Sequence, residues 1–315
     1  MSPKSFQELP LFLLESFGKS GYMESFPQVF GNNASGKHFH IRKDGQLAAF
    51  CASIPFHWSV NGTRICGQCI GSVCSSEKYR GQGSAREVMT LAELDARKNG
   101  ADFTFLFSDL DSFYRKLGYH PYGEEIFVAL GVSPAINDAA QKNLQTLLKI
   151  QSSEASKLRY GYTKPGETLS ESNLIALWNL IQRTSHHSEN TLSFLDFSIL
   201  VQIPEVEIHT LWRNETPVAV FFVGKGADFQ SVAHSSAAEN LHLLARLFSC
   251  YFSKFPGRSL LLMLPPKSEK LAKEFYTASS PAYYAKVLDT SAQNYDFIVS
   301  LITSGALYPR TFQSI

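Results

Sequence analysis

The segment of the chain best suited to chemistry is a glycine-containing loop between a strand-like run and a helix-like run. Its two glycines let the backbone turn tightly, so that successive N–H groups can point to one place at the positive end of the helix dipole. Two arginines add cationic side chains suited to phosphate oxygens. This pattern predicts an anion-binding loop, and its residues are Arg80, Gly81, Gln82, Gly83, Ser84, Ala85 and Arg86.

The loop differs from the familiar phosphate-binding motifs. It lacks the Gly-Lys-Ser/Thr of a P-loop and the third glycine of a dinucleotide-binding fingerprint. Two glycines before a helix are also typical of a purely structural turn. The spacing alone therefore leaves both interpretations open.

The elements predicted around the loop form a hairpin followed by a βαβ unit. Asp44 and Gly45 suit the positive φ angles of a tight hairpin turn. A strand, a helix and a second strand in succession favour a parallel crossover. The predicted elements are strands at 37–43, 46–54 and 65–75, a helix at 85–99, a strand at 101–107 and a short helix at 110–117.

The second half of the chain repeats this order in weaker form. Residues 42–50 match 213–221, and 103–107 match 259–263, with a helix-like run at 239–255 between the two later segments. The offset between the copies shrinks from the first match to the second, so the later copy lacks a segment in the region of the glycine loop. We interpret the repeat as a duplication; two independent βαβ units with similar hydrophobic patterns are the alternative.

Two motifs resemble the signatures of the GCN5-related N-acetyltransferases, the GNAT superfamily. Residues 80–85 resemble that family's Arg/Gln-x-x-Gly-x-Gly/Ala loop, and residues 113–119, which read Phe-Tyr-Arg-Lys-Leu-Gly-Tyr, resemble its second signature. The resemblance covers about residues 20–130 well and the second half in outline. Two such halves on one chain are similar to the enhanced-intracellular-survival (Eis) type of acetyltransferase, whose members carry a further C-terminal domain.

The resemblance implies an α/β fold of two tandem GNAT-like domains. Their sheets would be mixed, mostly antiparallel and flanked by helices, with a parallel splay at the cofactor site. The catalytic domain is expected at 1–136, a linker at 137–156, and a degenerate domain with a C-terminal tail at 157–315. Where the second copy should have its loop, residues 234–240 contain neither glycine nor arginine. We expect this domain not to bind coenzyme A in the family's way, and instead to help form the acceptor cleft or a dimer contact.

The resemblance also implies an acetyl-CoA-dependent N-acetyltransferase in which a primary amine attacks the thioester directly. The backbone of residues 81–86 would hold the pyrophosphate, and the pantetheine arm would pair with Val73, Cys74 and Ser75. A backbone N–H near Val73 or Cys74 would polarise the thioester carbonyl. Tyr114 matches the family's general acid; otherwise it is a core aromatic residue.

Proton transfer is the least defined part of this mechanism. A phenol with a pKa near 10 facing a thiol near 8.5 makes transfer uphill by about 2 kcal/mol, so the site should lower the pKa of Tyr114 or favour the transfer in another way. In related enzymes the C-terminal carboxylate enters the active site, and here it would belong to Ile315. The other candidates for a general base are Glu24, His38, His40, His57, Asp109 and Asp111.

Composition excludes several classes of protein. The 29 basic and 28 acidic residues give a net charge of +1, which excludes a general nucleic-acid binder. The best uncharged apolar runs, at 217–224 and 259–266, are too short to span a bilayer, and the first residues do not read as a signal peptide. We therefore expect a cytoplasmic protein that is not inserted in a membrane. The aromatic content of 13% favours deep cores or aromatic-lined clefts.

No metal site is expected. Cys66 and Cys69 have the spacing of zinc ligands, but in a strand they lie on opposite faces, and no second Cys or His pair follows. The expected partners are a small-molecule or peptide amine and, as an option, a second copy of the chain. Two alternative functions stay open: another acyl or aminoacyl transferase on the same fold, and a non-catalytic acyl-CoA-binding protein.

Overall fold

The computed structural model describes residues 3–32, 34–131, 138–149, 158–184, 189–190, 193–226, 228–264, 275, 277–288, 292–304 and 307. The helices are α1 (Pro3–Phe17), α2 (Pro27–Phe30), α3 (Ser84–Lys98), α4 (Asp111–Arg115), α5 (Asp138–Lys149), α6 (Glu171–Thr184), α7 (Phe194–Leu200), α8 (Leu241–Lys254) and α9 (Ala292–Thr303). The strands are β1 (Lys37–Lys43), β2 (Gln46–Val60), β3 (Thr63–Ser75), β4 (Phe103–Leu106), β5 (His120–Gly131), β6 (Leu158–Thr163), β7 (Glu189–Asn190), β8 (Glu207–Arg213), β9 (Thr216–Lys225), β10 (Asp228–Ala238), β11 (Ser259–Leu264) and β12 (Thr277–Val287).

The first half of the chain, residues 3–131, contains the predicted hairpin and βαβ unit. Asp44 and Gly45 have φ angles of 50° and 75°, which confirms the tight turn between β1 and β2. β2 runs beyond the predicted strand 46–54 because a second Asn-Gly turn, at Asn61 and Gly62, follows it. β3 then pairs antiparallel with β2.

α3 forms the crossover between two parallel strands. Its apolar residues recur at helical spacing, and Val88, Met89, Ala92 and Ala96 are buried against the sheet. β3 and β4 pair in parallel on either side of this crossover. The predicted parallel βαβ unit is therefore present.

The two halves share one sheet because they exchange strands. Along the sheet the order is β1, β2, β3, β4, β12, β5, β11, β10, β9, β8 and β6. β5, which ends the first half, pairs antiparallel with β11 of the second half, residues 158–307. In return, β12 of the second half lies between β4 and β5 and pairs antiparallel with both.

This exchange bears on where the chain divides. The segment 137–156, expected to be a linker, contains α5, whose Leu144 and Leu147 pack in the core of the second half. Strands that precede this segment pair with strands that follow it: β5 pairs with β11, and β12 pairs with β4 and β5. The boundaries at 136 and 157 stay a prediction about sequence units, since neither unit has a complete sheet of its own.

Many of the aromatic side chains lie in the core. Phe50, Phe56, Trp58, Phe103 and Phe105 of the first half form one cluster with Tyr283 of β12. Ile298 and Ile302 of α9 and Leu307 complete this cluster from the other end of the chain. Folding therefore brings the two ends of the sequence into a single core.

Three further observations concern the described residues only. They include no helix long and apolar enough to cross a membrane. They include no group of three or more His, Cys, Asp or Glu side chains that could hold a metal ion. All five cysteines are free thiols.

Removal of the Tyr283 side chain should destabilise the whole chain at once. Tyr283 is 1% exposed, and truncating a buried aromatic residue to alanine costs about 4 kcal/mol. Because β12 joins both halves, Tyr283→Ala should lower the free energy of urea unfolding in one transition that far-UV circular dichroism and tryptophan fluorescence report together. Tyr295→Ala on the exposed face of α9 is the control and should cost less than about 1 kcal/mol. Two separate transitions in the Tyr283 variant would contradict this prediction.

Candidate active site

A gap opens in the sheet where β3 and β4 separate. The two strands pair only where residues 67–69 face 103–105, after which β4 ends at Leu106 and β3 continues to Ser75. A bulge in β3 accompanies the separation, because Ser72 and Val73 together face the single residue Cys51 of β2. Ser72 has a φ of 51°, which is uncommon for a residue other than glycine. The parallel splay expected from the sequence is therefore present.

A cavity of about 380 Å³ occupies this splay. Of the predicted site residues, it brings together Val73, Cys74 and Ser75 from β3, Arg80 and Ala85 from the loop and helix, and Tyr114 from α4. It is also lined by four residues that were not predicted as site residues, namely Ser16 and Phe17 from α1, and Leu110 and Phe113.

The glycine loop lies beside the cavity with its backbone accessible. Gly81 and Gly83 have φ angles of 75° and 82°, in the left-handed region that favours glycine. A Cβ atom added at Gly81 would meet no heavy atom within 4 Å. Gly83 is the N-cap of α3, and no side chain caps the helix there. The first N–H groups of α3 thus lack a side-chain cap at the end of the helix where anions bind most favourably.

The remaining loop residues divide into exposed and buried positions. Gln82 and Arg86 are exposed, and the guanidinium of Arg80 lies 3.5 Å from the Glu77 carboxylate. The hydroxyl of Ser84 is buried and has no hydrogen-bond partner among the described residues. Arg80 lines the cavity, whereas the predicted site residues Gly81, Gln82, Gly83, Ser84 and Arg86 lie outside its lining.

The hairpin between β1 and β2 holds the loop in place. The Tyr79 hydroxyl donates to the backbone oxygen of Lys43 over 3.1 Å. In return, the Lys43 ammonium donates to the backbone oxygen of Gln82 over 3.4 Å and lies 3.7 Å from the Glu87 carboxylate. These contacts position the loop without using the residues that face the cavity.

Tyr114 reaches the cavity from α4 and is 5% exposed. Burial raises the pKa of its phenol to about 12, although a hydrogen bond with Ser108 lowers it in part. Two ways to favour proton transfer were considered from the sequence, a lowered pKa of Tyr114 or some other means. The raised pKa is the opposite of the first. The rings of Phe113, Tyr119 and Tyr284 surround the phenol, at centroid distances of 4.9, 6.1 and 6.4 Å.

The second half supports this part of the site through β12. The Tyr284 hydroxyl donates to Asp111 Oδ1 over 3.0 Å, and Asp111 also accepts two bonds from the Arg115 guanidinium at 2.7 and 2.9 Å. Asp111, a candidate general base, is thus engaged in holding α4. This support depends on the exchanged strand.

α1 closes one side of the cavity and is tied to the bulge in β3. Phe17 stacks on Tyr22 with ring centroids 4.5 Å apart, and the Tyr22 hydroxyl donates to Ser72 Oγ over 3.0 Å. Ser16 makes a hydrogen bond with Cys74, yet burial still raises the pKa of that thiol to about 12. The cysteine is therefore a neutral wall residue. The only sequence signal for the placement of α1 is its apolar face. Leu9 and Leu13 on this face pack in the core.

Most candidate bases lie elsewhere. None of the six side chains considered from the sequence is among the residues that line the cavity. His38 Nε2 is 3.0 Å from the carbonyl oxygen of Val29, and burial lowers the pKa values of His38, His40 and His57. Glu24 is exposed. Ile315 lies outside the described residues.

The second half has a parallel strand pair without the loop. Val232 and Ala233 of β10 face Leu261 and Leu262 of β11 in parallel register. β10 leads almost directly into α8, and the side chain of Asn240 caps that helix by accepting from the Leu243 N–H over 3.0 Å. The degeneracy of this half stays a prediction, and these contacts agree with it.

The phenol of Tyr114 should make stability depend on pH at the alkaline end. An unfolded tyrosine ionises near pH 10, whereas Tyr114 in the folded chain keeps its proton until about pH 12. Unfolding in this window releases a proton, so the stability from neutral Tyr114 is complete below pH 10 and is lost as the pH rises toward 12. Between pH 10 and 11.5, the free energy of urea unfolding should fall less steeply with pH in Tyr114→Phe than in the wild-type protein. The two slopes should differ by up to about 1.4 kcal/mol per pH unit. Equal slopes in the two proteins would contradict the raised pKa.

Comparison with known proteins identifies a domain family for part of the chain and a similar fold for most of it. A family model described as an acetyltransferase (GNAT) domain matches residues 15–122. The fold is similar to that of a probable N-acyltransferase from Enterococcus faecalis V583, with 14% identity, 91% of this chain and 71% of that chain covered, and a TM-score of 0.66. The fold is also similar to that of Eis1 from Mycobacterium abscessus, with 10% identity, 93% of this chain and 73% of that chain covered, and a TM-score of 0.59. For a tandem GNAT protein from the clavulanic acid biosynthesis pathway, the identity is 9%, the coverage is 82% of this chain and 85% of that chain, and the TM-score is 0.50. No curated protein matches the sequence.

The family match and the site geometry coincide. The matched segment begins at the end of α1 and reaches β5, so it contains every described residue that lines the cavity in the splay. The similarity to Eis1 covers 93% of the chain and so extends over both halves. Residues 15–122 therefore match a GNAT acetyltransferase domain, and the chain as a whole has a fold similar to that of Eis1 and of the tandem GNAT protein.

Proposed function

We propose that the chain transfers an acetyl group from acetyl-CoA to a primary amine and that the cavity between β3 and β4 is the site of transfer. The observation that carries this proposal is the convergence on one cavity of the β3 edge, the glycine loop and Tyr114. In the reaction, an N–C bond forms as the C–S bond of the thioester breaks. The amine loses one proton and the sulfur gains one.

The residues at the mouth of the cavity fit the phosphates of coenzyme A. The N-terminus of α3 has no side-chain cap, and the space above Gly81 is open, so phosphate oxygens can approach backbone N–H groups closely. Arg80 and Arg86 add exposed positive charge. When bound, acetyl-CoA supplies an activated acyl group.

The edge of β3 fits the pantetheine arm. Beyond Cys69, no described residue of β4 pairs with β3, so the β3 edge at residues 73–75 faces the cavity. The bulge at Ser72 turns this part of the backbone, and the buried hydrogen bond from Tyr22 holds the bulge in place. We assign the polarisation of the thioester carbonyl to a backbone N–H of Val73 or Cys74.

Tyr114 is proposed to act on the leaving sulfur as a hydrogen-bond donor. With its pKa near 12, the phenol is fully protonated at neutral pH. Complete transfer of its proton to a thiolate of ordinary pKa would be uphill by about 5 kcal/mol in the free site. A hydrogen bond that strengthens as negative charge grows on sulfur requires no such complete transfer, and it stabilises the departing group.

Gly83→Glu should abolish binding of coenzyme A. The new carboxylate would lie at the N-terminus of α3 and repel the phosphates. In a thermal-shift titration with acetyl-CoA, CoA and longer acyl-CoA thioesters, the wild-type protein should gain about 2.7 kcal/mol at 100 times the dissociation constant, and the variant should gain nothing.

Two control variants separate charge from backbone strain. Gly83→Ala has the same positive φ without the charge, and it should retain part of the shift. Gly257→Glu places the same side chain at another open glycine of positive φ, in the second half, and should retain the full shift. A wild-type protein that no thioester stabilises would contradict the proposed function.

Tyr114→Phe should preserve binding and slow the transfer. The ring still fills its place among the aromatic neighbours, so the shift with acetyl-CoA should be unchanged. Loss of the donor should lower kcat by about 100-fold, in the range typical for a positioned acid. Initial rates with a reactive primary amine across pH 6–9 measure this effect, and equal rates for the two proteins would remove Tyr114 from the mechanism.

A further inference from the structure

A second cavity, open and about 600 Å³ in volume, lies where the exchanged strands of the two halves meet. Its lining comes from residues 121–124 of β5, from Ser279 and Pro281 of β12, and from Thr303 at the end of α9. Its lining and that of the cavity in the splay have no residue in common within the described part of the chain. Both halves of the chain are needed to build it.

The register of the sheet relates the two cavities. Cys69 of β3 lies opposite Phe105 of β4, and Phe105 lies opposite Ala285 of β12. Ala285 in turn lies opposite His120 of β5. These four residues form one row across the sheet, the last row in which β3 and β4 are still paired.

The next residues along β3 and β5 lead into the two cavities at the same end of the sheet. Four residues beyond this row lie Val73 in β3, which lines the splay, and Glu124 in β5, which lines the second cavity. Three strand spacings of roughly 4.8 Å separate β3 from β5, so the backbones of these two residues are on the order of 15 Å apart before the splay widens the gap. An elongated molecule of about this length would reach from one cavity to the other.

The lining of the second cavity favours a cation. Among the described residues that line it, Glu124 is the only one with a charged side chain; it is exposed and forms no ion pair with any of the described chain. Tyr122 beside it contributes an aromatic ring, and burial raises the pKa of its phenol, so the ring stays neutral. Carboxylates and aromatic faces both attract ammonium groups. The prolines at 121 and 281 supply apolar surface for a hydrocarbon stem.

We propose that Glu124 anchors the acceptor by a protonated amine, and that the acceptor is therefore a cation with at least two basic nitrogens on an apolar stem. An ammonium group held by a carboxylate has no free lone pair and cannot attack a thioester. A second nitrogen of the same molecule, at the splay, is the one that reacts in its neutral form. This inference rests on the proposed function and names the acceptor class for it.

The test compares 1,8-diaminooctane with octylamine, which has a similar stem and one nitrogen only. With acetyl-CoA, wild-type protein should show a kcat/KM several-fold higher for the diamine. Glu124→Gln should lower kcat/KM for the diamine about fivefold, mainly through KM, and leave octylamine unchanged. Glu215→Gln, at an exposed turn between β8 and β9, is the matched control and should change neither value. Equal kcat/KM for the two amines in wild-type protein, or an equal effect of Glu124→Gln on both, would overturn the inference.

Calorimetric titration keeps this inference separate from the proposed function. With CoA present, 1,8-diaminooctane should bind wild-type protein about fivefold more tightly than Glu124→Gln. If neither amine is acetylated, the proposed function fails, and the titration alone decides whether Glu124 forms a site for a cation. No binding of the diamine to wild-type protein, or the same affinity in both proteins, would overturn it.

Discussion

The position of β12 between β4 and β5 is the constraint on which the rest of the structure depends. β4 has only four residues, and it pairs with β3 along a short stretch. On its other side it pairs with β12 over its full length. Because β12 holds β4 in the sheet, β3 can diverge from β4 and open the cavity without losing the strand. The same insertion brings Tyr284 against α4 and joins the ends of the chain in one core.

Local sequence patterns predicted the elements of the first half well. Asp44 and Gly45 specify their turn through the φ angles they tolerate, and α3 follows from the spacing of Val88, Met89, Ala92 and Ala96. The motif resemblance identified the end of β3, the loop and Tyr114. Six of the residues identified in this way line one cavity. The Asn-Gly pair at 61–62 carries the same hairpin signal as Asp44 and Gly45, and it explains the length of β2.

Long-range pairing could not be predicted in this way. The register that sets Tyr284 opposite Leu106 depends on strands far apart in the sequence, and no local pattern specifies it. For the same reason the roles of Ser16 and Phe17 were not predicted, since an amphipathic helix shows which face is buried and not what it covers. The raised pKa of Tyr114 comes from burial by several elements together, which the spacing of residues 113–119 does not reveal.

The exchanged strand also has a consequence for synthesis on the ribosome. β4 is made long before β12, and about 10 to 35 seconds pass between them at roughly 5–20 residues per second. During that time the nascent first half has an unpaired edge at β4, which is a surface open to wrong pairing with other chains. Contacts between residues this far apart in sequence also slow folding itself. Completion of the first half therefore waits for translation of the second, and the support that β12 gives to the cavity in the splay forms only when most of the chain has been made.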